Sequence, residues 1–169
     1  NDMVLNDDWL SLTPEEALEP DLPILDPHHH LWERPGNRYL LHDLVQDTAD
    51  HAVRQTVFIE CSSMYRPSGP TELMPVGETE FVQGVAAKSA NGGYGDTVAA
   101  AGIVGTADLS LGDDVSAVME AQIMASPQRF RGIRHRAAWP ERTPLPGQPA
   151  SAEHLLLDST FRAGFNRLR

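Results

Sequence analysis

The sequence has a single cysteine, Cys61, among 169 residues. It can form no internal disulfide and no thiolate knuckle for zinc, so any metal has to rest on His, Asp or Glu. Basic residues are scarce too. Thirteen Lys plus Arg stand against 24 Asp plus Glu, a formal charge of -11 at pH 7, which repels a phosphate backbone and argues against nucleic acid as a partner. No apolar run approaches the ~18–20 residues that a membrane-spanning helix needs, and the acidic start lacks the basic and apolar regions of a signal peptide. A cytoplasmic protein with no membrane partner is expected. Nor does a glycine-rich phosphate fingerprint follow any strand, because Asn91-Gly92-Gly93-Tyr94-Gly95 comes before a strand and reads as the end of a helix.

What is present is the balance of a globular domain: 41% hydrophobic and 22% charged residues, with 13 Gly and 13 Pro. The length suffices for one sizeable core, whereas a complete eight-stranded α/β barrel takes about 250 residues. The chain opens on Asn1 and closes on Asn166-Arg167-Leu168-Arg169 without a polar tail, which leads us to expect part of a larger unit. Residues 1–21 read as an acidic N-terminal extension, with a short helix announced by the capping box Thr13-Pro14-Glu15-Glu16.

Beyond it the pattern alternates. Leu22 to Asp26 reads as a first strand, and apolar residues at Leu40, Leu41, Leu44, Val45, Ala49, Ala52 and Val53 predict a surface helix over 40–53. Thr56 to Ile59 is a buried-strand run, followed by a helix over Glu78–Ala90. Val98 to Val104 and Asp113 to Ala125 form a third pair. Phe130 to His135 reads as a short strand, and Phe161, Phe165 and Leu168 mark a last helix face. Strands alternating with helices demand parallel pairing and right-handed crossovers, so the class is α/β, either doubly wound or barrel.

The sharpest chemical feature is Asp26-Pro27-His28-His29-His30-Leu31-Trp32 at the end of the first strand. Side chains at i and i+2 share a face, so Asp26, His28 and His30 project one way and His29 the other. Two imidazoles on one rigid strand converge as zinc, iron or manganese requires, although a pair falls short of a full ligand set. The plainer alternative is a solvated turn or one satisfied buried histidine. In the fourth strand, alternation puts Arg134 and Arg136 on one face and Arg131, Ile133 and His135 on the other. Arg134 is the choice for holding a carboxylate or a developing oxyanion, since its guanidinium is always charged and offers a planar fork of donors. The long loops Cys61–Gly77 and Ala137–Asp158 carry Tyr65, Arg66 and Trp139, which could shape a pocket or simply anchor the loops. Glu60 reads as a rim carboxylate and Cys61 as a structural thiol, while His42, His51 and His154 read as surface residues.

The run Asp26-x-His28-x-His30-Leu31-Trp32 after a strand, the repeated βα units and Phe130-Arg131-Gly132-Ile133-Arg134-His135 together resemble the amidohydrolase superfamily. The likeness is to its amidohydrolase-2 branch, which includes lactonases and nonoxidative aromatic decarboxylases. The resemblance implies a TIM-barrel type of (β/α) fold in which only the first four βα units are present, residues 22–169 being the N-terminal half. It implies that His28 and His30 are catalytic and bind a divalent metal, Zn or Mn, although a metal-free site is also compatible with the family. It further places Arg134, with His135 beside it, in substrate binding, to which Tyr65 and Trp139 would add. The expected activity is hydrolysis of a lactone or related cyclic ester or amide of a small polar acid. The alternatives are a metal-dependent decarboxylase on the same scaffold and a noncatalytic half-barrel module. Histidines and an aspartate expected from later strands are missing, so this fragment alone is expected to be inactive. Its partners would be a small-molecule substrate and either a homo-oligomer or the missing C-terminal half.

Overall fold

The computed structural model describes residues 9, 11–138 and 153–168. In chain order the elements are β1 (Ile24–His29), β2 (Trp32–Arg34), β3 (Asn37–Tyr39), α1 (Leu41–Asp47), β4 (Val53–Ile59), α2 (Val76–Ser89), β5 (Val98–Gly105), α3 (Val115–Ala125), β6 (Phe130–Ile133) and α4 (Ser159–Phe165). β1, β4, β5 and β6 form one sheet in that order, and every pairing in it is parallel. The fold is thus α/β, with each sheet strand lying beside the one before it in the chain and helices packed on the sheet.

One sheet face carries the core. Phe58 of β4 and Ala100 and Ile103 of β5 are fully buried against Val82 and Ala86 of α2 and against Leu31. Ile133 of β6 joins Val115 and Val118 of α3 and Phe161 of α4, while Leu41 and Leu44 of α1 close over Ala99. Each large apolar side chain so buried contributes about 1.5–3 kcal/mol. Alternation turns Val57, Ile59 and Val104 to the opposite face, where they are only half-buried. Leu25 on β1 is 57% exposed.

Two glycines permit close approach. At Gly105 an added Cβ would lie 3.0 Å from Thr79 Oγ1 and 3.1 Å from Gln122 Oε1, so α2 and α3 pack directly on the end of β5. At Gly164 it would fall on the carbonyl oxygen of Leu109, with that of Gly112 3.2 Å away, which is how α4 docks on the turn before α3.

Several expected elements differ. No helix follows the Thr13 box: residues 11–23 form turns, bends and irregular backbone, and Leu18 is 98% exposed, so an isolated turn bounded by Pro14 and Pro20 has no surface on which to bury an apolar face. β1 begins after Pro23, where the Ile24 N–H finds the Ala52 carbonyl at 2.9 Å. The helix expected over 40–53 stops at Asp47. The Thr48 hydroxyl bonds back to the Leu44 carbonyl at 2.9 Å, and Val53 is taken into β4 opposite Ile24. The hairpin β2–β3 was not anticipated. It turns at Pro35-Gly36, with Gly36 at φ 74°, and Trp32 stacks on Tyr39 with centroids 5.2 Å apart. β6 ends at Ile133, two residues early, yet the Arg134 N–H still reaches the Gly105 carbonyl at 2.9 Å. No helix among the described residues is long and apolar enough to cross a membrane.

The glycines give a paired test. Gly84 lies exposed within α2 with nothing near its missing Cβ, so Gly84→Ala should stabilise the protein by about 0.5–1 kcal/mol. Gly164→Ala should cost about 1–3 kcal/mol, because backbone has to move. Chemical denaturation midpoints of the two variants should shift in opposite directions.

Candidate functional site

The chemistry-bearing side chains collect at the C-terminal ends of the parallel strands, where loops of an α/β sheet build binding sites. At the end of β1, Asp26 Oδ1 accepts the His28 N–H at 3.0 Å. The next ring, His29, turns into the helix-covered core, is buried, and lies 2.8 Å from the Thr56 hydroxyl. His28 and His30 turn the other way and meet, with Nε2 atoms 3.3 Å apart and ring planes at 90°. The histidines alternate as expected, whereas Asp26 does not share the face of His28 and His30: β1 slips against β4 between Asp26 and His29, so that Asp26 lies opposite Thr56 and His29 opposite Phe58.

The tautomer of His30 follows from its second contact. Its Nδ1 lies 2.7 Å from the Ile59 carbonyl, which can only accept, so Nδ1 carries the hydrogen and Nε2 presents a lone pair. Burial lowers the His30 pKa, partly countered by that carbonyl, so the lone pair is the resting form. His28 can then donate its Nε2 hydrogen to His30, or both nitrogens can converge on a metal. Ligand distances of about 2.0–2.1 Å in a tetrahedron put two nitrogens about 3.3–3.4 Å apart, so the pair fits a shared metal such as zinc. Among the described residues no group of three or more His, Cys, Asp or Glu side chains could hold an ion. The two histidines would supply part of a ligand set.

Facing them is a charged pair. Glu60, directly after β4, is only 3% exposed. Its Oε1 accepts the Arg134 Nε–H at 2.7 Å and its main-chain carbonyl accepts the Arg134 Nη2–H at 2.5 Å. Arg136 Nε lies 3.6 Å from the same carboxylate oxygen. The Thr106 hydroxyl donates to the Arg134 carbonyl at 2.9 Å, so Arg134 is held through both backbone and side chain. These bonds use two of the five N–H donors of a guanidinium.

Arg134 and Arg136 both face Glu60, as alternation predicted. Arg131 departs from that pattern: a register shift between Ile103 and Val104 leaves it without a partner on β5, and its side chain lies beside Gly102 on the sheet face away from the helices. His135 lies apart from Arg134. It faces the helical layer, with Nδ1 accepting the Leu109 N–H at 3.2 Å and its ring edge against Phe161. Tyr65 stands half-exposed in the loop after β4, and burial raises its phenol pKa. Trp139 lies outside the described residues.

Glu60 differs from its expected place on the rim, because its carboxylate is enclosed by the two arginines. The apolar run Val57-Phe58-Ile59 ending on a carboxylate was the available signal. Cys61 is inert, its Sγ donating to the Leu31 carbonyl at 3.3 Å and its thiol pushed up to about 12 by burial and by Glu78. His42, His51 and His154 are exposed.

No family model matches this sequence, and neither the curated proteins nor the solved structures contain a match to it.

Burial holds His29 down at about 4, against an ordinary 6.5. Between those values the unfolded chain binds more protons than the folded one, so stability should fall as pH is lowered through that window and level off below it. Imidazole NMR titration checks the cause, since a His29 ring that protonates in the folded protein near its ordinary value would contradict it.

Proposed function

We propose that the chain supplies the first four βα units of a (β/α)8 hydrolase that opens a lactone or related cyclic ester or amide of a small polar acid. The carrying observation is the pairing of His28 and His30, Nε2 to Nε2 at 3.3 Å, at the same strand ends as the Glu60-held Arg134. A base and a cation are thereby set on two sides of one mouth, as water attack on a carbonyl requires.

In this reading the His30 lone pair takes a proton from the attacking water while Arg134 donates to the carbonyl oxygen as it gains charge. The ring opens when the carbon–oxygen or carbon–nitrogen bond breaks and the leaving atom is protonated. Alternatively, His28 and His30 would spend their lone pairs holding a divalent metal such as Zn or Mn, and a base from the further strands would then take the proton of the attacking water. Such a metal, when bound, supplies Lewis acidity and a more acidic water. Glu60 keeps Arg134 from collapsing onto solvent carboxylates. The barrel reading is favoured by the strand order, because right-handed crossovers between successive neighbours put all the helices on one face and leave the other free to close. Further strands, from a C-terminal half or from a second copy, would complete the mouth. The half-exposed face of Val57, Ile59 and Val104 equally suits a noncatalytic half-barrel that serves in assembly.

The test is acid release from a panel of sugar-acid and aromatic lactones by the completed barrel, with carbon dioxide release from aromatic acids followed in parallel. His30→Ala should lower the hydrolytic rate by about 10²–10⁴ and Arg134→Ala by about 10²–10³, with Arg134→Lys recovering part of the loss. Carbon dioxide in place of acid release would assign the decarboxylase alternative. Turnover that survives both alanine variants would reject these roles.

A further inference from the structure

A second carboxylate lies beneath the mouth, and the chemistry above gives it no task. Glu78, in the first turn of α2, is 1% exposed. Its Oε1 accepts two backbone N–H groups, Cys61 at 3.1 Å and Ser63 at 2.8 Å, with the Cys61 thiol 3.5 Å away. Its Oε2 is buried without a hydrogen-bond partner. Filling this space with an apolar side chain of similar size would avoid that desolvation. What the carboxylate secures in return is the start of a loop that holds Ser62 and Met64 at φ 60° and 56°, both left-handed at non-glycine residues. The loop lies tight on α2, since a Cβ at Gly77 would meet the Met64 carbonyl at 2.8 Å.

One peptide group connects Glu78 to the site. The Cys61 N–H that donates to Glu78 and the Glu60 carbonyl that accepts from Arg134 Nη2 belong to the same planar unit, and in a trans peptide they point in opposite directions. Glu78 on one side and Arg134 on the other therefore clamp that plane, and rotating it would break both bonds together. We infer that Glu78 is a positioning residue that fixes the Glu60–Cys61 peptide so that the carbonyl and carboxylate of Glu60 grip the Arg134 guanidinium as a fork. Its functional meaning rests on the proposed role of Arg134, but the clamp can be read without any ligand.

The measurement is hydrogen exchange of the Arg134 Nε–H by ¹⁵N NMR, the signal being assigned by its loss in Arg134→Lys. Glu78→Gln keeps an acceptor oxygen at Oε1 and should leave the signal protected. Glu78→Met removes the acceptor at similar volume and should speed exchange at least tenfold while circular dichroism and cooperative unfolding persist. Should the Met variant not fold, Glu78→Asp decides, because it keeps the charge but withdraws the oxygen by one methylene and should also speed exchange. Unchanged Arg134 protection in folded Glu78→Met or Glu78→Asp, or equal loss of protection in Glu78→Gln, would overturn the inference. Since no substrate is involved, failure of the hydrolase reading would leave this result standing.

Discussion

Glu60 and Arg134 sit at the ends of β4 and β6, two strands that do not touch because β5 runs between them. Neighbouring strands are about 4.8 Å apart, so the pair bridges roughly 9.6 Å over the end of β5, a span within reach of an arginine meeting a glutamate. An enclosed carboxylate pays heavily for leaving water. Such a pair is poor evidence for stability, yet removing one partner strands the other and typically costs about 3–5 kcal/mol. Its value lies in geometry. Two N–H groups of one guanidinium engage the side chain and the main chain of one residue, so Arg134 cannot swing without giving up both. The strand end that carries His30 is tied to the same place, because His30 Nδ1 bonds to the carbonyl one residue before Glu60.

This arrangement sets a local charge against the global one. In a chain with a formal charge of -11, Arg134 and Arg136 flank the buried Glu60 carboxylate, and Arg34 reaches the carbonyl of the next residue, Cys61, at 3.1 Å. Screening at physiological salt confines exposed charges to about 8 Å. An anion would thus meet the acidic surface weakly at a distance and the cationic mouth strongly at contact. The two histidines, with a lone pair held ready on His30, add a basic nitrogen without adding charge.

The face of Asp26 was not legible from sequence, because β1 shifts against β4 before His29, but the histidine pair was, because two residues apart on a strand means one face. Arg134 was separable from His135 on the same ground. Arg131 was misplaced because alternation assumes an unbroken ladder, and the shift opposite Ile103 inserts one residue. The carboxylates were harder. An acidic residue in a first helical turn reads as an ordinary complement to the helix dipole, and nothing local reveals that the loop before α2 folds back to bury Glu78. Glu60 falls one residue beyond an apolar run, where a strand end and a solvent-facing rim look alike. Boundaries failed where one residue could serve two elements, as with Val53, which suits the end of α1 by spacing and the start of β4 by branching.

The uncovered sheet face bears on what kind of unit this is. Parallel sheets are almost always covered on both sides, and here Leu25, Val57, Ile59 and Val104 face away from every helix that packs on the sheet. Helices could reach that face only if the strand order reversed, as it does in doubly wound sheets. From β1 through β6 it does not reverse. A sheet that keeps adding neighbours in one direction, twisting as it goes, satisfies its bare face by curling toward itself, and the side chains that end up inside are then the ones now half-exposed. The same curling would bring new strand ends round to the mouth opposite His28 and His30. In the proposed barrel, completion of a ligand set around His28 and His30 and covering of Leu25 would be one event, driven by apolar burial and only secondarily by ligand geometry.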